Sequence, residues 1–432
     1  MKKSFTILLY FLVILFLILW PNYIKKHEET QLNSDKLSEQ SFRGVITFWD
    51  FPHFSEKDSG GFKFIKNKIE NFQNKYPGVI IEFEGISEKE GYKKLLEAKE
   101  KGILPDIFPL KQEFFLEIVD ELNSLNKYLN EKNIKEYKKN VLESFSYKGN
   151  IYGLPLGMYT NVIFVNKDKL NEKEITLPQE KEWNFEEFIN IMSKLTYTQG
   201  ENRYYGIEFP IKEDTYGIWG FLLLDGAKPF DNNRFSFYGP QAVSGINILL
   251  DLFNKYKVAN PVSLEGDVDY IWNDFIINRN TASLITESYK ITKLKNLQSH
   301  DKLFNFIVLP YPYGESGVPL TLSPKFYGYG IKKIEDKKKL EMEYKFIKFI
   351  TDNQNEVLNI GLIPIKENIS IEDENFKVIE KAVEYTDKIP YYSFLRDINN
   401  KIINEIKKGV KENKTGFDII KDIKDDIDQQ IK

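Results

Sequence analysis

From Gly44 onward the apolar residues of this chain change period, from alternate positions to every third or fourth and back again. That switching constrains the fold more than any other feature. GVITFWDF (44–51) is a short β-rich run, after which Phe62, Ile65, Ile69, Phe72 and Tyr76 form the stripe of an amphipathic helix. Pro77-Gly78 ends that helix, VIIEFEG (79–85) follows as a strand, and a second helix fits residues 88–101 up to Gly102. A third strand is expected at 104–108. Strand-helix-strand order of this kind predicts an α/β protein with a parallel sheet covered by helices on both faces. Two extended runs, 151–156 and 160–165, carry the chain into a fresh alternation. Asn184 with Glu187 reads as a capping box, Pro240 as the first residue of a helix, and 281–286 and 303–309 as strands. Helices are expected at 336–352, 374–386, 394–410 and 417–431. No period of 20 to 50 residues recurs, which excludes a solenoid.

A different kind of segment precedes this. Residues 5–20 (FTILLYFLVILFLILW) are almost uninterrupted apolar, with Lys2 and Lys3 before them and Lys25 and Lys26 after. A basic start and an apolar core mark an export signal, yet no small-residue cleavage site follows. Counted through Ile24 the stretch reaches about 20 residues, roughly the thickness of a bilayer's hydrocarbon core. The expectation is an uncleaved anchor over 1–25, a polar tether over 26–41, and a folded part outside the cell membrane.

Composition removes several chemistries. The chain has no cysteine, hence no disulfide, thiolate metal site, cysteine nucleophile or lipid-modified N-terminal cysteine. His27, His53 and His300 lie far apart, and neither metal nor cofactor is expected. A net charge of −4 argues against nonspecific nucleic-acid binding. Phosphate-loop, dinucleotide, serine-hydrolase and zinc-protease motifs are absent, and Asp267-Val-Asp269 lacks the rest of a calcium loop. Gly328-Tyr329-Gly330 reads as a strand against close backbone. A carboxylate pair for glycoside hydrolysis stays open, because 64 acids can supply one in any fold.

Aromatics are the positive signal: 5 Trp, 25 Tyr and 33 Phe. Several stand with polar residues at expected strand ends, where open α/β sheets hold ligands. Trp49 and Asp50 end the first strand, Asp106 follows a proline, and Tyr159 lies at a crossover. Tyr216 and Trp219 occupy a glycine-flanked turn, Glu287 and Tyr289 end the strand at 281, and Tyr327 begins the last strand. Flat rings beside carboxylates suit neutral sugars, whose faces are apolar and whose rims are hydroxyls. Trp272 and Trp183 are assigned to packing.

Taken together, GVITFWDF, FQNKYPGVIIEFEG, EAKEKGILPDIF, YKGNIYGLPLGMYTNVIFVNKDKL, ASLITESY and NFIVLPYP resemble the extracellular solute-binding proteins of family 1. These are the receptors of ABC sugar importers, maltose-binding proteins among them. The resemblance implies a two-lobe periplasmic-binding-protein-like fold of type II, with ligand in an interlobe cleft that closes by a hinge. One lobe would comprise 42–157 plus 327–362 and the other 158–326 plus 363–432. It implies ligand contacts at Trp49, Asp50, Asp106, Lys111, Tyr159, Tyr216, Trp219 and Tyr289, with Arg396 as a further candidate. Glu287 and Tyr327 join them from the strand-end reading. The family often carries an acid where this chain has Tyr159, which puts inherited sugar specificity in question. The implied protein is a monomeric, membrane-anchored binding protein delivering a sugar or oligosaccharide to an ABC permease, not an enzyme. A sensor accessory coupled to a membrane kinase, or an anchored glycosidase, is the alternative.

Overall fold

The computed structural model describes residues 42–430 except 139–140, 179–181, 232–233 and 389–394. The apolar run and the tether lie outside the described residues. Among the described residues no helix is long and apolar enough to cross a membrane.

The first sheet is built as the periodicity predicts at its start. β1 (Gly44–Asp50) and β2 (Val79–Gly85) run parallel in full register, joined by α1 (Lys63–Lys75). Ile65, Ile69 and Phe72 of α1 are buried as the stripe requires. α2 (Gly91–Glu100) leads to β3 (Ile107–Lys111), which is parallel to β1 only at Phe48 and Ile107. The strand starts three residues later than expected and contains Pro109, which offers no N–H for a longer ladder.

Beyond β3 the expectation of a parallel sheet fails. The strand order is β2-β1-β3-β8-β4, with β8 (Phe326–Ile331) antiparallel both to β3 and to β4 (Gly153–Met158). A βαβ unit fixes parallel neighbours locally, whereas β8 arrives from the other half of the molecule, which no local period records. Its Gly-Tyr-Gly sequence is required by that insertion. A Cβ on Gly328 would lie 2.3 Å from the Leu154 carbonyl oxygen, and one on Gly330 would lie 2.6 Å from Leu122. Tyr327 and Tyr329, two apart, project from the same face. α6 (Lys337–Asp352), capped by Asp336, covers this sheet: Phe346 sits 5.4 Å from the Phe48 ring and 4.9 Å from Phe72. Fully burying a side chain of this size contributes roughly 1.5–3 kcal/mol.

The second sheet centres on β5 (Asn161–Asn166), flanked antiparallel by β6 (Ser283–Glu287) and β7 (Phe306–Leu309). Both faces are buried, so period 2 divides its residues between two cores. Val162, Phe164, Leu284 and Val308 join the core shared with the first sheet, under α5 (Ile291–Ser299) and α7 (Glu374–Glu384). Ile163, Val165, Ile285 and Leu309 join the other. That second core is closed by α3 (Phe185–Leu195), α4 (Pro240–Asn254), α8 (Leu395–Glu412) and α9 (Gly416–Gln430). The Asn184–Glu187 capping box is present and Pro240 opens α4. Trp272 and Trp183 are buried, as assigned.

Three segments distant in sequence are tied to one another through their backbones. Met158 and Ile363 exchange backbone hydrogen bonds of 2.9 and 2.8 Å, and the Tyr159 amide donates to the Lys325 carbonyl at 2.9 Å.

Candidate ligand cleft

The ends of β1, β3, β4 and β6 and the start of β8 converge between the lobes. β4 runs into β5 with only Tyr159 and Thr160 between, which places the Tyr159 ring at the crossing. That ring meets Tyr289 edge-on at 5.3 Å and 79°. Lys111, last residue of β3, holds its ammonium 5.0 Å from the Phe51 ring and 6.0 Å from Tyr289. Phe51, His53, Phe54, Glu88, Tyr327 and Leu362 help to line a narrow cavity there, about 380 Å³ with its open solvent but only about 20 Å³ open to a water-sized molecule. Four predicted residues, Lys111, Tyr159, Tyr289 and Tyr327, are thus brought together. Burial pushes the Tyr159 and Tyr289 hydroxyls well above the ordinary phenol range, so both stay neutral donors.

Two carboxylates within electrostatic reach of Tyr159 and Tyr289 are in unlike states. Burial would raise Glu287, but Lys290 at 3.0 Å, its own backbone amide and Lys111 hold it down at about 2. Thr286 also donates to it at 2.9 Å. Glu113, two residues beyond Lys111, is pushed up by burial despite the pull of Lys111 and its backbone amide. Its Oε2 is shut off from solvent and has no hydrogen-bond partner. Glu113 also lies within electrostatic reach of Tyr159, Tyr216 and Tyr289. Sequence reasoning missed Glu113 by stopping at Lys111. The available signal was an acid directly past a strand end and before Phe114-Phe115.

Tyr216 is buried near Glu113, and Asp214, two residues earlier, carries a bidentate pair with Arg396: Nε to Oδ1 at 2.5 Å and Nη2 to Oδ2 at 2.9 Å. The guanidinium lies 4.9 Å above the Tyr92 ring. Asp214 was not singled out in the sequence.

Three predicted contacts are engaged within the protein. Asp50 is fully buried and already saturated. It accepts from Tyr327 at 2.5 Å, Tyr329 at 2.9 Å and the Phe51 amide at 2.9 Å, with His53 Nε2 at 3.0 Å. It therefore fixes the loop after β1 rather than meeting ligand. Asp106 precedes β3 at the end away from Lys111; Thr47 donates to it through its amide at 2.8 Å and its hydroxyl at 3.0 Å, and Lys339 pairs with it at 2.8 Å. Trp219 is fully enclosed in the second core, edge-on to Phe237 at 5.2 Å, its Nε1 donating to Asn399 Oδ1 at 2.8 Å. It has no free face for a ligand. Trp49 is half-buried with the Lys94 ammonium 4.5 Å above its ring, apart from the cavity. A wider groove, about 2330 Å³ with its open solvent, runs between α1, α5, α6 and residues 353–376 but includes none of the predicted residues. The size of that groove does not make it the site, since the convergent aromatic and charged groups lie elsewhere.

Fold and cleft define a two-lobed binding protein of the periplasmic-binding-protein type, in which ligand is held between α/β lobes. The comparisons make this specific. A sequence model of the bacterial extracellular solute-binding proteins matches residues 57–357, and the chain belongs to that family, whose members bind solutes and are not enzymes. Among solved structures, the ABC substrate-binding protein of Listeria monocytogenes in complex with cycloalternan superposes with a TM-score of 0.75 at 20% identity, covering 90% of this chain and 99% of that one. A maltose-bound protein of T. maritima gives 0.73 at 19%, covering 89% and 99%. The maltose/maltodextrin-binding domain of Bdellovibrio bacteriovorus, bound to maltotriose, gives 0.72 at 15%, covering 90% and 100%.

Proposed function

We propose that this protein is an extracytoplasmic receptor for a sugar or oligosaccharide, which it captures between its lobes and delivers to an ABC permease. The observation that carries the reading is the cavity wall, where the enclosed Tyr159 and the half-buried Tyr289 meet Lys111, with Glu287 and the unpartnered Glu113 Oε2 within electrostatic reach of both rings. A saccharide ring would lay its C–H face on the tyrosines and donate a hydroxyl proton to Glu113. The saccharides bound in the structural neighbours, cycloalternan, maltose and maltotriose, agree with that chemistry.

The lobes are proposed as 42–157 plus 327–362 and 158–326 plus 363–432, with the hinge where Met158, Lys325 and Ile363 are hydrogen-bonded; those bonds support the division. Residues 1–25 would remain as a membrane anchor, with 26–41 as tether and the monomer held outside the cell. The apolar run and the absence of cysteine support this. Calorimetric titration of the purified protein against neutral saccharides tests the central reading. Saturable heat with at least one saccharide is expected; heat only with another solute class would end the sugar assignment. A mature N-terminus near residue 25 would end the anchor alone.

A further inference from the structure

Arg396 was expected to touch ligand, but its Nε and Nη2 are committed within the protein. Nε and Nη2 form a parallel fork on Asp214, the strongest geometry open to a guanidinium. That fork is pre-set within one lobe. Asp214 sits at φ +63, a left-handed conformation uncommon for non-glycine residues but accessible to Asp. It is held there by α8 itself: the Asp214 amide donates to Asn400 Oδ1 at 2.8 Å, and Asn399 Nδ2 donates to the Thr215 carbonyl at 3.0 Å. What remains of Arg396 is its flat face and Nη1. Both point to elements of the first sheet's core: the face lies 4.9 Å over the Tyr92 ring on α2, and Nη1 is 3.9 Å from Glu117 in the helical turn Phe115–Ile118 after β3. The arginine side chain is only 32% exposed, so its attraction to the ring is less screened than at an open surface.

We propose that Arg396, braced by Asp214, is a positioning residue that clasps the two lobes through the face of Tyr92 and sets how much of the protein is closed before ligand arrives. The inference rests on the reading of the cleft as a site that closes. Apparent affinity scales with the closed fraction, so the clasp tunes binding without touching ligand. Lys138–Glu380 at 3.0 Å and Lys366–Glu136 at 3.2 Å also bridge the proposed lobes, and Lys89 with Asp267 at 3.4 Å, 61% and 38% exposed, contributes little. Tyr216 and Glu113 lie near the fork, so the clasp stands at their end of the cleft.

The absence of cysteine makes the test direct, because two introduced thiols are the only labels. Lys101→Cys on the far end of α2 and Lys255→Cys past α4 are exposed positions for a fluorophore pair in the full chain. In the ligand-free protein, Tyr92→Leu and Arg396→Gln should each cut the closed population about tenfold, and Tyr92→Phe, which keeps the ring face, should leave it unchanged. Apparent saccharide affinity should fall by the same factor. An unchanged distance distribution in both Tyr92→Leu and Arg396→Gln overturns the clasp. Equal opening in Tyr92→Phe and Tyr92→Leu overturns the ring-face contact. If no saccharide binds yet the distances respond as expected, the clasp stands and the sugar reading falls.

Discussion

Asp50 and Glu113 both stand where the first sheet meets the cleft, and they differ in what they have left to offer. Asp50 accepts hydrogen bonds from two tyrosines and a backbone amide, with His53 at 3.0 Å, and has no capacity to spare. Glu113 keeps one buried oxygen without a donor. A buried polar atom without a partner is costly and rare, so where one persists at a cleft it marks a place for an outside group. Residue type and position at a strand end did not separate the two; their hydrogen-bond accounts did.

The contrast between satisfied and unsatisfied regions can be broken by substitution. The largest effect belongs to the satisfied side. Trp219→Ala should cost about 3–5 kcal/mol in urea denaturation, as for a core tryptophan, with saccharide affinity of the folded fraction unchanged. Lost affinity at full stability would return Trp219 to the cleft. Asp50→Ala follows at about 3 kcal/mol, because it strands the buried Tyr327 and Tyr329 hydroxyls; a neutral result in the same assay would show that those hydroxyls find other partners. On the unsatisfied side the sign of the trade reverses. Tyr289→Ala should weaken saccharide binding by about 1–3 kcal/mol by calorimetry and barely move the melting temperature.

The smallest effects are in pH. Glu287 is held at about 2, below its unfolded value, so its contribution to stability is present above the ordinary carboxylate range and lost as pH falls toward 2. At 37% side-chain exposure, screening keeps that contribution under about 1 kcal/mol. Glu208, on the segment bridged to β6, is the opposite case. It is fully buried, and burial with Asp274 beside it pushes it up to about 9. Its contribution is present below the ordinary carboxylate range and declines as pH rises toward 9. Glu208→Gln should flatten stability over that upper window, and a denaturation series in which it does not would contradict the assignment.

Much of the fold was legible because its signals are local. The α1 stripe, the capping box at Asn184 and the Pro77-Gly78 stop each depend on residues within a turn or two. The insertion of β8 between β3 and β4 was not legible, since it pairs residues more than 150 positions apart, although Gly328 and Gly330 announced close backbone. The candidate site was partly legible. Lys111, Tyr159, Tyr289 and Tyr327 meet at one cavity because strand ends in an α/β fold converge. That Asn399 and the paired tyrosines already occupy Trp219 and Asp50 was not legible, since those partners are distant in sequence. Glu113 was missed for the converse reason, that an unmet hydrogen bond leaves no trace in composition.

The central claim is that the unfilled capacity at Glu113 and the Tyr159–Tyr289 rings receives a saccharide. Calorimetry on Glu113→Gln beside the unaltered protein tests it most directly. The account predicts that the substitution, by removing a buried unpaired acid, preserves or slightly raises stability while weakening saccharide binding at least tenfold. Unchanged affinity in a stable Glu113→Gln protein that still binds saccharide would contradict it.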